Sequence, residues 1–254
     1  MNIAVISPTA FLDSVGTLTK THLVLAHIYM ESEKYRDFYR NRVAEGDFVI
    51  LDNSAYELGS SINITDLKHC VEDLKPTATF LPDVRFHAFK TMDHIEKGIS
   101  ILKEYDTMLL AVPQGSDYQQ VIMCYHWISG IKEISGFGLY EEIGQVTGFK
   151  NRRQFLQHLE NIDKVYSDKY YHLLGMEEDL SEIPRLAQFS WVNSIDSAKP
   201  VVYGLHGIAI QNINSSIQYP HRPNNYFNIR ATTYMNLIRW NIICLQNWAN
   251  NSQN

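Results

Sequence analysis

The sequence predicts an α/β protein of the (β/α)8 barrel class, a TIM-like barrel, and three observations support this. Short β-rich runs alternate with amphipathic stretches along the whole 254-residue chain. Several runs are almost continuously apolar, as expected of parallel strands that are buried on both faces. About 250 residues is also the usual size of such a barrel. A doubly wound sheet is the alternative fold, but the Gly-rich loop that usually follows an early strand of that fold is absent here.

Seven runs are clear strand candidates, and an eighth is weaker. In chain order they are NIAVIS (2–7), DFVILD (47–52), TATFLP (77–82), TMLLAV (107–112), ISGFGL (134–139), YYHLLG (170–175), WVNSID (191–196) and the weaker YGLHGIAI (203–210). Amphipathic helices are predicted after Asn63 and Asn151, each of which is a good N-cap residue. We expect a single domain over residues 1–254, with a C-terminal helix over about 226–249 and a frayed tail at 250–254.

Composition limits the function classes. Hydrophobic residues make up 45% and charged residues 20% of the chain, which is typical of a soluble globular protein. No apolar stretch has the length of a membrane span, and the N-terminus does not resemble a signal peptide, so we expect a cytoplasmic protein. The net charge of −6 argues against a wholly basic nucleic-acid binder, although it leaves a local basic patch open. The three cysteines lie far apart in sequence, so we expect free thiols and no metal site. No cofactor is expected.

Carboxylates, amides and glycines recur at the carboxyl ends of six of the predicted strands. Active sites of (β/α)8 barrels lie at the carboxyl ends of the strands, so these residues are the candidate site. They are Asp52, Asn53 and Tyr56 in LDNSAYELG, Asp83 in LPDVRFH, Gln114 and Gly115 in VPQGS, Gly138 and Leu139 in GFGLYEEIG, Gly175 and Met176 in HLLGMEED, and Asp196 in SIDSAKP. The pattern indicates an enzyme that uses carboxylate chemistry on a polar, planar ligand.

Each of these residues also has a structural interpretation. Asp52 and Asn53 are well suited to cap a following helix, Asp83 after Pro82 is typical of an Asx-turn, and Gln114-Gly115 is a common turn pair. Asp196 is harder to explain as structural, because no clear helix follows for it to cap. Recurrence at six strand ends favours function over structure for the set as a whole.

The ordered set of motifs resembles the tRNA-guanine transglycosylases (queuine and archaeosine tRNA-ribosyltransferases), and most of all their small phage-encoded relatives that modify DNA. The motifs that carry the resemblance are LDNSAYELG, PD (82–83), PQG (113–115), GFGL (136–139), HLLGM (172–176) and IDSA (195–198). They span about residues 47 to 204. The resemblance implies a glycosyltransferase that exchanges guanine in DNA for a 7-deazaguanine base such as preQ0, in the host cytoplasm if the chain is phage-encoded.

The resemblance also implies a role for each residue. Asp196 would be the nucleophile that forms a covalent sugar ester, and Asp52 the general acid/base. Two carboxylates can run such a double displacement, as in retaining glycosidases. The base would be bound by Asp83, Gln114, Gly115, Gly138 and Leu139, with Tyr56 and either Leu174 or Met176 on its faces. Candidate contacts to nucleic-acid phosphates are Lys150, Arg152, Arg153, Lys199, Arg222 and Arg230.

The chain departs from the family at one place. The clustered Cys and His of the family's zinc subdomain are absent, which favours DNA over tRNA as the partner. Guanine exchange on tRNA, hydrolysis of the glycosidic bond and a non-catalytic nucleic-acid-binding subunit are the alternatives. Relatives often dimerise, so a homodimer is one expectation for the oligomeric state, and no membrane partner is expected.

Overall fold

The computed structural model describes residues 1–162, 164–176, 180, 182–212 and 220–250. Eight parallel strands close into a barrel in chain order, β1 to β8, with helices between them. The predicted (β/α)8 fold is confirmed. Of the tail predicted to fray, residues 251–254 lie outside the described residues.

Seven of the eight strands coincide with predicted runs. Their bounds are β1 Asn2–Val5, β2 Thr21–Leu25, β3 Phe48–Asp52, β4 Ala78–Phe80, β5 Met108–Ala111, β6 Ile134–Tyr140, β7 Tyr170–Leu174 and β8 Ser194–Ser197. Strand β2 was not predicted, and the strand predicted at 203–210 is absent from the described residues there. Residues 199–205 form a helix instead, and Pro200 near its start favours that conformation because proline suits the first turn of a helix.

Twelve α-helices are present in the described part of the chain. They are α1 Leu12–Val15, α2 Ala26–Glu31, α3 Glu33–Ala44, α4 Ala55–Leu58, α5 Ile64–Leu74, α6 Ala88–Leu102, α7 Tyr118–Ser129, α8 Ile143–Val146, α9 Arg152–Asn161, α10 Glu182–Leu186, α11 Lys199–Leu205 and α12 Met235–Asn250. Short 3-10 turns occur at Thr9–Phe11, Gly16–Leu18, Ile210–Asn212 and Tyr226–Asn228. None of the described helices is long and apolar enough to span a membrane.

The terminal helix begins later than predicted, at Met235 rather than near residue 226. Just before it, the backbone N–H of Tyr234 donates to the Thr232 hydroxyl at 3.1 Å. Such local side-chain bonds offer the backbone an alternative to helical hydrogen bonding. The apolar periodicity of this stretch therefore identified the helix but did not mark its first turn.

The contacts divide the chain into two compact units, of which the first comprises residues 1–23 and 175–254. In it β1 pairs with β8, with Ala4 opposite Asp196. Helices α11 and α12 approach closely at Gly204. A Cβ at this position would overlap Ile238 Cγ1, so only glycine fits there. The buried Asn241 of α12 accepts from the backbone N–H of Ile210 at 3.0 Å and donates to main-chain oxygens, so its burial costs little.

The second unit comprises residues 24–174 and contains β3 to β7. Each of these strands pairs with the next in parallel. The predicted caps are confirmed: Asn63 accepts from the backbone N–H of Asp66 at 2.9 Å, and Asn151 from that of Gln154 at 3.1 Å. The carboxyl ends of β3, β4 and β5 thereby carry three neighbouring loops, and these loops build the candidate site.

Candidate functional site

Asp83 is the centre of a buried polar cluster in the second unit. Asn53 follows β3, Asp83 follows β4 and Gln114 follows β5, and all three side chains are buried. Asn53 Nδ2 donates to Asp83 Oδ1 at 2.8 Å, and Gln114 Nε2 donates to Asp83 Oδ2 at 2.6 Å. The structure therefore brings together three polar residues that lie about thirty positions apart in sequence. We refer to Asn53, Asp83 and Gln114 as the Asp83 cluster.

Main-chain groups fix the orientation of both amides. Asn53 Nδ2 also donates to Leu81 O at 2.7 Å, while Asn53 Oδ1 accepts from the backbone N–H of Ala55 at 2.9 Å. Gln114 Oε1 accepts from the backbone N–H of Phe86 at 3.0 Å. A backbone N–H must meet an amide oxygen and a carbonyl must meet an amide nitrogen, so neither amide can flip without losing bonds. Both amides therefore present N–H donors to Asp83.

Burial raises the pKa of the Asp83 carboxyl above its ordinary value. The hydrogen bonds from Asn53 and Gln114, and the charges of Arg85 and His94, act in the opposite direction but do not outweigh desolvation. A carboxyl group that holds its proton to higher pH than usual, beside fixed donors, is suited to proton transfer. Asp83 was predicted only to bind a ligand; its environment also fits an acid/base.

Asp52 supports the turn that follows β3. Asp52 Oδ2 accepts from the backbone N–H of Ser54 at 2.7 Å. Ser54 is fully buried with φ of 64°, a left-handed conformation that is uncommon for a residue other than glycine. Its hydroxyl lies 2.8 Å from His27 Nδ1 and accepts from the backbone N–H of His27 at 3.2 Å. Asp52 thus has a structural contact, and its catalytic role stays a prediction.

A stacked cation lies on the loop that follows Asp83. The guanidinium carbon of Arg85 is 5.1 Å from the centre of the Tyr56 ring and 5.0 Å from that of Phe86. Arg85 Nη2 lies 3.0 Å from Glu142 Oε1, just beyond β6. Tyr56 was among the predicted site residues, whereas Arg85, Phe86 and Glu142 were not. An arginine after one strand and acidic residues after another were the signal that could have identified the pair.

The glycines at the strand ends are explained by packing. A Cβ on Gly138 would lie 2.6 Å from Phe80 Cε1 and 2.8 Å from Leu174 Cδ1, and a Cβ on Gly115 would be as close to the backbone of Val121. Real Cβ atoms do not approach other atoms so closely. Neighbouring side chains and backbone fill the space that a side chain at these glycines would need, and the implied contact of Gly115 and Gly138 with a planar base stays a prediction.

Arg152 is buried between two strand ends and is not a surface residue. It is fully buried, and its Nη1 donates to Leu139 O at 3.2 Å and to Leu174 O at 3.0 Å. The prediction that Arg152 contacts nucleic-acid phosphates is therefore wrong, because the side chain does not reach the surface. These bonds hold the carboxyl ends of β6 and β7 together, which gives Leu139 and Leu174 a structural role.

Asp196 lies in the first unit at the carboxyl end of β8 and is 8% exposed. Its Oδ1 accepts from the backbone N–H of Gly175 at 2.9 Å, where Gly175 has a left-handed φ of 71°. The buried Met176 next to it accepts a long hydrogen bond of 3.7 Å at its sulfur from Ser197. Asp196 therefore anchors the turn at Gly175, which gives this acidic residue a structural role. A catalytic role for Asp196 stays a prediction.

The other predicted basic contacts lie at or near the surface of their own units. Lys150, Arg153 and Arg230 are exposed, and Lys199 and Arg222 are half-buried. The guanidinium of Arg222 lies 5.5 Å from the centre of the Phe227 ring. Contact with nucleic acid stays a prediction for these five residues. Within the described ranges, no group of three or more His, Cys, Asp or Glu side chains is placed to hold a metal ion.

Comparison with known proteins supports the fold. The chain matches no family model and no curated protein. Among solved structures, a provisionally assigned fructose-1,6-biphosphate aldolase from Coccidioides immitis is 9% identical with a TM-score of 0.53, over 99% of this chain and 92% of that one. N-acetylneuraminate lyase from Mycoplasma synoviae is 13% identical with a TM-score of 0.47, over 78% of this chain and 68% of that one. CdNal from Clostridium difficile, solved in complex with mannosamine, is also 13% identical with a TM-score of 0.47, over 78% of this chain and 69% of that one.

These findings correct the predicted family. The solved barrel with a TM-score of 0.53 is described as an aldolase and no family model matches the chain, so the assignment to the tRNA-guanine transglycosylases is wrong. The predicted guanine exchange, the glycosyltransferase class and the 7-deazaguanine DNA modification are corrected with it. The physical reason is that any (β/α)8 barrel collects polar residues and glycines at its strand ends, where they hold turns and admit close packing. Short motifs at these positions report the fold more than the chemistry.

Proposed function

We propose that the chain is a small-molecule enzyme of the lyase or aldolase type, in which Asp83 transfers a proton at a carbon next to a carbonyl group. One observation carries the proposal: a buried carboxyl with a raised pKa lies between two fixed amide donors at the carboxyl ends of the strands. In this fold the site of chemistry lies at those ends. The solved barrel described as an aldolase agrees with this class but, at 9% identity, supports only the fold.

The proposed chemistry uses a carboxylate and not a lysine. Lysine can form a Schiff base with a carbonyl substrate, but none of the eight strands contains a lysine. Lys169 precedes β7, and its Nζ donates to Ile134 O at 2.6 Å, which ties it to the amino-terminal end of β6. The Asp83 cluster instead offers carboxylate acid–base chemistry at the ends of the strands.

Two members of the Asp83 cluster, Asp83 and Gln114, have distinct roles in the proposed step. Ionised Asp83 takes the proton from the carbon as the C–H bond breaks, and the electron pair moves to the carbonyl oxygen to give an enolate. Gln114 Nε2 carries two hydrogens, and the bond to Asp83 uses one of them. The second can donate to the enolate oxygen, where a fixed donor stabilises the developing charge. Protonation of the enolate by Asp83 reverses the step.

The test is exchange of substrate hydrogen with solvent. The protein is incubated in D2O with pyruvate or with dihydroxyacetone phosphate, two small carbonyl compounds with exchangeable hydrogens, and loss of the C–H signal is followed by proton NMR. Positioned acid–base groups contribute about 10²- to 10⁴-fold, so Asp83→Asn should lower the exchange rate by at least about 10²-fold. Asp106→Asn, at an exposed position, is the matched control.

Two results would contradict the proposal. One is absence of exchange above the solvent background with both compounds at millimolar concentration. The other is exchange that Asp83→Asn and Asp106→Asn retain equally, because a proton-transfer group that can be removed without loss is not the catalytic group.

A further inference from the structure

Arg85 is held by two aromatic rings that are themselves largely exposed. Tyr56 is 59% exposed and Phe86 is 38% exposed, although large aromatic side chains usually gain more by burial. The guanidinium of Arg85 lies 5.1 Å and 5.0 Å from the two ring centres. Stacking on rings suits the planar, weakly hydrated guanidinium and limits the orientations it can adopt. The rings thus pre-orient a cation beside the Asp83 cluster.

Most hydrogen-bond donors of Arg85 have no acceptor in the described part of the chain. A guanidinium has five N–H donors, and Arg85 makes one hydrogen bond, from Nη2 to Glu142 Oε1 at 3.0 Å. The side chains of Arg85 and Glu142 are 29% and 31% exposed. Ion pairs with this degree of exposure contribute little to stability, so Glu142 can be displaced at small cost. An incoming oxyanion would find a pre-oriented fork with free donors.

Arg85 is coupled to the Asp83 cluster in two ways. Its charge acts on Asp83 and lowers the pKa of that carboxyl, against the larger effect of burial. Its neighbour Phe86 donates the backbone N–H that fixes the Gln114 amide, and Phe86 does so with a φ of 62°. A bulky residue in that left-handed region is strained, and such strain persists where the surroundings impose it.

We propose that Arg85 is the oxyanion subsite of this site, where a carboxylate or phosphate group of the ligand replaces Glu142 on the guanidinium. The inference rests on the proposed function and narrows its substrates to anionic carbonyl compounds, either oxo acids or phosphorylated sugars. Arginine matches both groups because its planar fork can donate two parallel hydrogen bonds to one oxyanion. Glu142 then acts as an internal competitor that occupies the fork until the ligand arrives.

The experiment measures anion binding directly, without catalysis. Protein labelled with ¹⁵N on arginine is titrated with malonate, with inorganic phosphate and with malonamide as the neutral analogue, and the Nε–Hε signal of Arg85 is followed. That signal is assigned by its absence in Arg85→Lys. Malonate or phosphate should shift it with a measurable Kd, and malonamide should not. Arg239, exposed on α12, reports non-specific anion binding in the same spectra.

Two variants decide whether Glu142 competes. Glu142→Gln keeps the shape of the side chain and removes its charge, so anions should bind about two- to fivefold more tightly, the effect expected from losing an exposed ion pair. Arg85→Gln should abolish saturable binding at this site, measured by calorimetry with malonate and phosphate. Arg239→Gln, at an exposed position, should leave the affinity unchanged.

Each result has a defined meaning. Binding of malonate alone supports a carboxylate ligand, and binding of phosphate alone supports a phosphorylated one. Shifts no larger at Arg85 than at Arg239, or unchanged affinity in Glu142→Gln, would overturn the subsite. Proton exchange is measured separately, so anion binding at Arg85 together with exchange that survives Asp83→Asn would contradict only the proposed function. Loss of exchange in Asp83→Asn without anion binding at Arg85 would contradict only the subsite.

Discussion

Replacing Arg152 by Met should destabilise the barrel at the carboxyl ends of β6 and β7. The guanidinium is fully buried and donates at 3.2 Å to Leu139 O and at 3.0 Å to Leu174 O. Hydrogen bonds to a charged group contribute about 1.5–3 kcal/mol each. Because Met also removes the cost of burying a charge, the lower value applies, and two bonds give about 3 kcal/mol. This corresponds to a roughly 150-fold shift toward the unfolded state.

The assay is urea unfolding followed by circular dichroism, with Arg153→Met as the control. Arg153 follows Arg152 in α9 but is exposed, so its replacement should change the free energy of unfolding by less than about 0.5 kcal/mol. If the free energies of unfolding of Arg152→Met and Arg153→Met differ by less than about 1 kcal/mol, the buried guanidinium does not hold the strand ends together, and its structural role is refuted.

Three further predictions follow from packing and titration. Gly138→Ala should lower the free energy of unfolding in urea by about 1–3 kcal/mol, because its Cβ would overlap Phe80. Gly130→Ala is the control and should not destabilise the protein, because Gly130 has space for a Cβ and a negative φ. Equal effects of the two replacements would contradict the packing argument. Burial raises the pKa of Asp83 in the folded protein. The stability of the wild type relative to Asp83→Asn should therefore be greatest below about pH 4 and fall as the pH rises through the folded pKa. A difference in free energy of unfolding between the two proteins that stays constant from about pH 3 to 7 would disprove this. Burial raises the pKa of Cys124 to about 11, so this thiol should react with Ellman's reagent at pH 8 only after unfolding, and fast reaction of the native protein would show that it is accessible.

The sequence by itself determined the class of fold. Apolar runs such as 48–52 and 108–111 are buried strands because burial on both faces of a parallel sheet demands continuous hydrophobicity. Asn63 and Asn151 marked helix starts because an N-cap bond is made to a residue three positions away. Local rules failed at Thr21–Leu25, because the strand begins with two polar residues, Thr21 and His22, that are buried only in the folded protein.

Only the tertiary structure decided what the strand ends do. Sequence placed Asp83 and Gln114 at the ends of strands, but their 2.6 Å contact depends on two loops that meet in space. Whether Arg152 is a surface cation or a buried donor, and whether Gly138 admits a ligand or a phenylalanine ring, depends on neighbours that are distant in sequence. The periodicity of a chain records which faces are buried, because burial repeats with the secondary structure. Contacts between loops follow no such period, and so the chemistry of the site could be determined only from the folded molecule.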